Sequence, residues 1–217
     1  MKKVEKITLK EVIFNFDSYA GIHDGLITLP LPEHIRIGWR TYPIPEDVDE
    51  FCKNICYGQR LFLTREEPND FGLMIRVLEG YYYPFITRKK WDEDKALEIG
   101  KLIVTCKAKN IYPVAMHLIG LIQETLKREE KLLHRSPTKK ELAAGIEKLN
   151  PFTELSSLDF LRDNMKITLQ EVLLTPYNEC LVRFMLAKET MEYQERYYKL
   201  LNEPLKNDNK HAKANTD

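Results

Sequence analysis

From Trp91 to about Leu201 the chain keeps its apolar residues on a helical period, and this long run most constrains the fold. Each segment in it carries its own punctuation. Asp92 is placed to cap "EDKALEIGKLIVTCKAKN", with Asn110 as its stop. Pro113 suits the first turn of "PVAMHLIGLIQETLKREEKLLH". The short link between these two segments sets them antiparallel. In "RSPTKKELAAGIEKL", Ser136 reads as the cap and Pro137 as the first helical residue, with Glu141 in the first turn. "SSLDFLRDN" is a shorter element, and Thr168 with Glu171 forms a capping box for "LQEVLL". Thr175 and Pro176 open a last helix to about Leu201. Along it Tyr177, Cys180, Leu181, Phe184, Met191 and Tyr198 form one apolar-aromatic stripe.

The first third has a different character. "KITLKEVIFNF" and "LITLPLPEHIRIGW" are rich in β-branched and aromatic residues and read as short strands of a small sheet, with turn chemistry in "AGIHDG" between them. Pro30 and Pro32 keep the second strand to an edge. "YPIPEDVDEFCKNICYGQ" predicts a helix. Pro45 sits in its first turn, Val48, Phe51, Cys52 and Ile55 on its apolar face, and Gly58 at its stop. Asn69 or Asp70 caps "FGLMIRVLEGYYY", which Pro84 should end at Tyr83. The expected fold is mainly α: a helical bundle over 46–201 with a small β-containing N-terminal part over 1–45. A polar tail over 202–217 should order only against a partner.

A chain of 217 residues can bury about 70% of its unfolded surface and needs no disulfide or metal. Its 33 basic and 33 acidic residues cancel, which argues against a dedicated nucleic-acid binder. No apolar run approaches the roughly 20 residues of a membrane span. "MKKVEKITLKEV" lacks the apolar core of a secretory signal, and four cysteines without an export signal suggest reduced intracellular thiols.

The chain carries no catalytic or cofactor motif: no nucleophile elbow, no Walker A segment and no GxGxxG. Cys52 and Cys56 stand i, i+4 on a predicted helix, but no second ligand pair follows, so no metal site is expected. Cys106, Cys180 and His117 read as core residues, and His134 as a cation near a helix C-terminus. "HRSPTKKELAAGIEKLN" resembles the entry to a helix-turn-helix of sigma-like and winged-helix proteins through Pro137, Thr138, Glu141, Leu142, Ala143 and Ala144. A DNA-binding regulator needs a basic second helix, whereas "PFTELSSLDFLRDN" offers Glu154, Asp159 and Asp163 around Arg162.

"EGYYYPFITRKKW" is the segment richest in contact chemistry. Consecutive helical residues point about 100° apart, so Tyr81, Tyr82 and Tyr83 cannot share one face. One or two rings should enter the core. At least one ring, with Arg88, Lys89, Lys90 and Trp91, should face a partner at the corner between the N-terminal and helical parts. The end of the last helix, with Tyr193, Tyr197 and Tyr198, is the second candidate surface, and the two together would suit a head-to-tail ring.

"ICYGQRLFL", "FGLMIRVLEGYYYPF" and the closing "TPYNECLVRFMLAKETMEYQERYYKLL" resemble structural proteins of tailed bacteriophages, in particular head–tail connector and tail-assembly proteins. Ile55, Tyr57, Gly58 and Gln59 carry the most recognisable piece. The resemblance implies a non-enzymatic virion protein, assembled in the host cytoplasm. It would form a homo-oligomeric ring against portal or neighbouring tail proteins, without cofactor, membrane or specific nucleic acid, with DNA at most passing nearby. A tail-assembly chaperone is the alternative within the same family.

Overall fold

The computed structural model describes residues 7–14, 25–26, 28–65, 67 and 69–202. Of the expected turn over 20–25 only Gly25 is described, in a helical segment with Leu26; residues 20–24 and the tail from 203 lie outside the described residues. Helix α4 (Asp70–Thr87) runs through the centre, with Met74, Val77, Leu78 and all three tyrosines of its second half buried. It packs on α3 (Tyr57–Thr64), α5 (Glu93–Ile103) and α6 (Ala108–Leu133). Helix α2 (Val48–Lys53) lies against α6. Other helices among the described residues are α1 (Leu9–Phe14), α7 (Lys139–Ala143), α8 (Thr153–Met165), α9 (Leu169–Leu174) and α10 (Tyr177–Asn202), with a 3₁₀ turn over Ile146–Phe152. The molecule is mainly helical, as expected, with one small sheet near the N-terminus.

That sheet is a hairpin of β1 (His34–Ile37) and β2 (Arg40–Pro43), paired antiparallel with Ile35 opposite Tyr42. Its two-residue loop starts at Gly38, whose φ of +63° suits the glycine-first hairpin turn. Ile35 and Ile37 point inward and join the same core as α4 and α6.

Several boundaries differ from expectation, each for a local reason. "TLKE" inside the first expected strand is a capping box: Glu11 accepts the Thr8 amide at 2.7 Å, and Thr8 Oγ1 accepts the Glu11 amide at 3.3 Å. The segment is therefore helix α1, tied to the α5–α6 link by the Leu9 amide on the Cys106 carbonyl at 2.9 Å. Asp47, not Pro45, starts α2, accepting the Glu50 amide. Gly58 does not stop that helix but lies inside α3, so Cys52 and Cys56 sit on different elements. Asn110 falls inside α6, and Pro113 lies further along that helix than a first-turn residue would. Thr138 rather than Ser136 caps α7, because its box with Glu141 satisfies two amides at once. Asn69, Asp92 and the Thr168–Glu171 box cap as expected.

Pro84 does not end α4, which continues to Thr87. A helix-interior proline has no amide to give the carbonyl one turn back. Here that carbonyl, on Gly80, accepts Gln59 Nε2 at 2.8 Å instead. Arg88 then closes the helix in the left-handed region, φ +56°, with its amide on the Pro84 carbonyl.

Candidate functional site

The tyrosine corner is core rather than surface. Tyr81, Tyr82 and Tyr83 are 2%, 0% and 1% exposed, so none is offered to a partner. Their different directions around α4 explain it, since each ring meets a different neighbour. Tyr81 stacks on Phe51 of α2, centroids 5.4 Å apart. The Tyr82 hydroxyl donates to the Pro43 carbonyl of β2 at 3.1 Å. Tyr83 meets the edge of Trp91 at 5.7 Å. Burial pushes the Tyr81 hydroxyl up to about 12 and that of Tyr82 higher, so both stay protonated; Tyr81 accepts from Asn54 Nδ2 at 3.4 Å while Tyr82 donates. Arg88, Lys89 and Lys90 are exposed, and Trp91 is half-buried between Tyr83 and Phe62. Lys53, Lys89, Lys90 and Trp91 edge a shallow depression of about 300 Å³.

The "ICYGQ" segment holds this corner together. The Tyr57 amide donates to the Thr175 carbonyl at 2.9 Å, and the Tyr177 amide returns to Ile55 at 3.1 Å. A Cβ on Gly58 would stand 2.9 Å from both the Leu173 carbonyl and Trp91 Cδ1, so only glycine lets α9 and the indole approach. Gln59 accepts the Cys56 amide at 3.0 Å while donating to Gly80.

Between α3, α6, α8 and α10 lies a cleft of about 440 Å³ lined by Arg60, Glu129, Tyr57, Ser157 and Tyr177. Arg60 pairs bidentately with Glu129, and the Tyr177 hydroxyl donates to the same carboxylate at 2.8 Å. Burial, then the Glu129 charge, pushes the Tyr177 hydroxyl upward, and burial lifts Tyr57 to about 12. These groups satisfy one another. Burial also raises the Cys52, Cys56 and Cys180 thiols, Cys180 to about 12, away from the thiolate a nucleophile needs. Glu79 is a buried carboxyl that desolvation pushes up to about 7, packed against Gly100 of α5.

Helix α10 is different. Its first turns bury Tyr177, Cys180 and Leu181 against α2, α3 and α6. Further along, Lys188 Nζ donates to the Leu132 carbonyl at 3.0 Å, and Arg135 pairs with Glu195, so one face stays turned to the body. The opposite face carries Val182, Leu186, Tyr193, Tyr197 and Leu200, which are 61%, 59%, 59%, 48% and 69% exposed. At 100° per residue these five fall within one narrow stripe. Tyr193 and Tyr197 stack on each other at 6.2 Å. Of the candidate residues, Tyr193 and Tyr197 thus share an exposed face. Tyr198 is exposed on another side, and the expected inner stripe is uncovered at Met191 and Tyr198. The sequence reading missed Val182, Leu186 and Leu200, although their spacing from Tyr193 is the signal that would have found them.

In the segment resembling a helix-turn-helix, Arg162 of α8 pairs with Asp159 at 2.8 Å and Asp163 at 2.9 Å, which leaves its charge neutralised. No group of His, Cys, Asp and Glu suited to a metal occurs among the described residues. No described helix is long and apolar enough to cross a membrane. No family model, curated protein or solved structure matches this chain.

Proposed function

We propose that this protein is a non-enzymatic assembly component that works by protein–protein contact, with the outer face of α10 as its contact surface. The carrying observation is that face: five large apolar or aromatic side chains exposed in one stripe, on a helix whose other side is anchored to the body. Isolated exposed apolar residues are ordinary, but an aligned stripe of them marks a contact site. The titratable groups of the interior fit the same reading, since burial holds the Tyr57, Tyr81, Tyr82 and Tyr177 hydroxyls and the Cys52, Cys56 and Cys180 thiols protonated and the Arg60 cleft is internally paired. The assembly we assign is the one the sequence segments resemble: a head–tail connector or tail ring of a tailed phage virion, with portal or neighbouring tail proteins as partners.

The test is affinity capture from the native lysate with mass spectrometry of the co-purifying proteins. The wild-type chain should bring down large structural proteins at a fixed ratio, and Leu186→Glu with Tyr193→Glu should lose them while keeping its helical circular dichroism. Capture that is indifferent to both substitutions would overturn the assignment of the surface. Recovery of nucleic acid that washes off with salt would replace the assembly reading with a DNA-binding one.

A further inference from the structure

We infer that a second copy of this chain docks on the outer face of α10, antiparallel and related by a two-fold axis at Tyr193; this rests on the reading of that face as a contact surface. Its Leu186, Tyr193 and Leu200 are self-complementary when the helix is reversed. Leu186, Tyr193 and Leu200 recur every seven residues, so turning the helix end for end about Tyr193 places Leu186 of one copy on Leu200 of the other. The same operation puts Tyr193 against its own mate. It also brings the exposed Glu189 of one copy beside the exposed Arg196 of the other, on the same side of the seam, and this contact occurs twice. Glu189 can there accept from that guanidinium. A parallel two-fold pairing would instead carry Glu189 and Arg196 of one copy to the side of the seam opposite those of the other, so this ion pair could not form. Charge therefore selects the antiparallel arrangement. Arg196 already reaches Glu192 of its own helix at 3.7 Å, a separation loose enough to let it turn outward. The paired stretch, Leu186 to Leu200, spans roughly 21 Å of helix at 1.5 Å per residue. That is a small interface, and it sets a weak, concentration-dependent dimer.

Sedimentation or light scattering across concentration tests this on the full chain. Wild type should pass from monomer to dimer as concentration rises. Glu189→Arg and Arg196→Glu should each weaken the dimer by roughly tenfold, because each converts attraction to repulsion twice. An equimolar mixture of the two variants should dimerise better than either alone, since only the mixed pair restores opposite charges. Both positions are exposed, and circular dichroism confirms the fold of each variant. A wild-type chain that stays monomeric at its highest soluble concentration, or a mixture no tighter than its components, overturns the pairing. If Leu186→Glu still abolishes capture in that case, the contact reading survives and only the self-pairing fails. A dimer that forms while capture ignores the face separates the two the other way.

Discussion

Gln59 shows how one side chain can repair a backbone defect. Pro84 has no amide, so the Gly80 carbonyl in the middle of α4 would face the core without a donor. The Gln59 carboxamide supplies one while its oxygen takes the Cys56 amide. Gln59→Leu should therefore cost about 2–3 kcal/mol, because two buried backbone groups lose partners at once. Pro84→Ala restores an amide one turn from Gly80. Its presence should reduce the cost of Gln59→Leu by about 1 kcal/mol, a coupling that urea denaturation of the four-member cycle would measure. Additive costs would mean the two residues act independently. Glu79 offers a second prediction. Its carboxyl titrates at about 7 in the fold against an ordinary 4.5, so the native state holds its proton more tightly than the unfolded chain does. The contribution is full below about pH 4.5 and is lost as pH rises through about 7. The size of that shift corresponds to about 3 kcal/mol. Glu79→Gln should match wild type in acid and exceed it by up to that amount in mild alkali, as thermal melts across pH would show. A constant difference across pH would exclude titration of Glu79 as the cause.

Among the elements, those with a strong local signal were legible. The caps at Asn69, Asp92 and Thr168 follow from side chains that bond the nearest orphan amides, and the long last helix was legible from its start after Thr175 and Pro176. What was hidden needed a distant partner or a competing local one. Pro84 reads as a stop until Gln59, across the fold on α3, is placed beside Gly80. α1 was hidden by its β-branched composition, although the Thr8–Glu11 box was in plain view. Thr8→Ala should lower stability by about 1 kcal/mol, the usual cost of a lost N-cap, read as a shift in denaturation midpoint. The outer stripe of α10 was half legible: Tyr193 and Tyr197 stood out as aromatics. Val182, Leu186 and Leu200 could be assigned to core or surface only once the anchored side of the helix was known. Replacing any one residue of that stripe with glutamine should leave monomer stability within about 0.5 kcal/mol, because exposed side chains away from caps and cores contribute little to the fold. A large loss would mean the stripe packs inward.

At the scale of the whole molecule, the hairpin and α1 share one core with the helices. Ile35, Ile37, Leu9 and Val12 are buried in the same cluster as Tyr81, Tyr112 and Leu118. The Tyr82 hydroxyl reaches the β2 backbone, and His117 Nε2 of α6 lies 2.7 Å from the Pro45 carbonyl. A small N-terminal segment so joined has no separate core to melt. Heating should therefore give one transition, with helical circular dichroism and tyrosine fluorescence changing together. Ile35→Ala, at a fully buried position, should move that single transition by about 2–5 kcal/mol in stability and shift both signals equally. If the fluorescence of the buried tyrosines changed first while the helices persisted, the N-terminal part would be a separate cooperative unit.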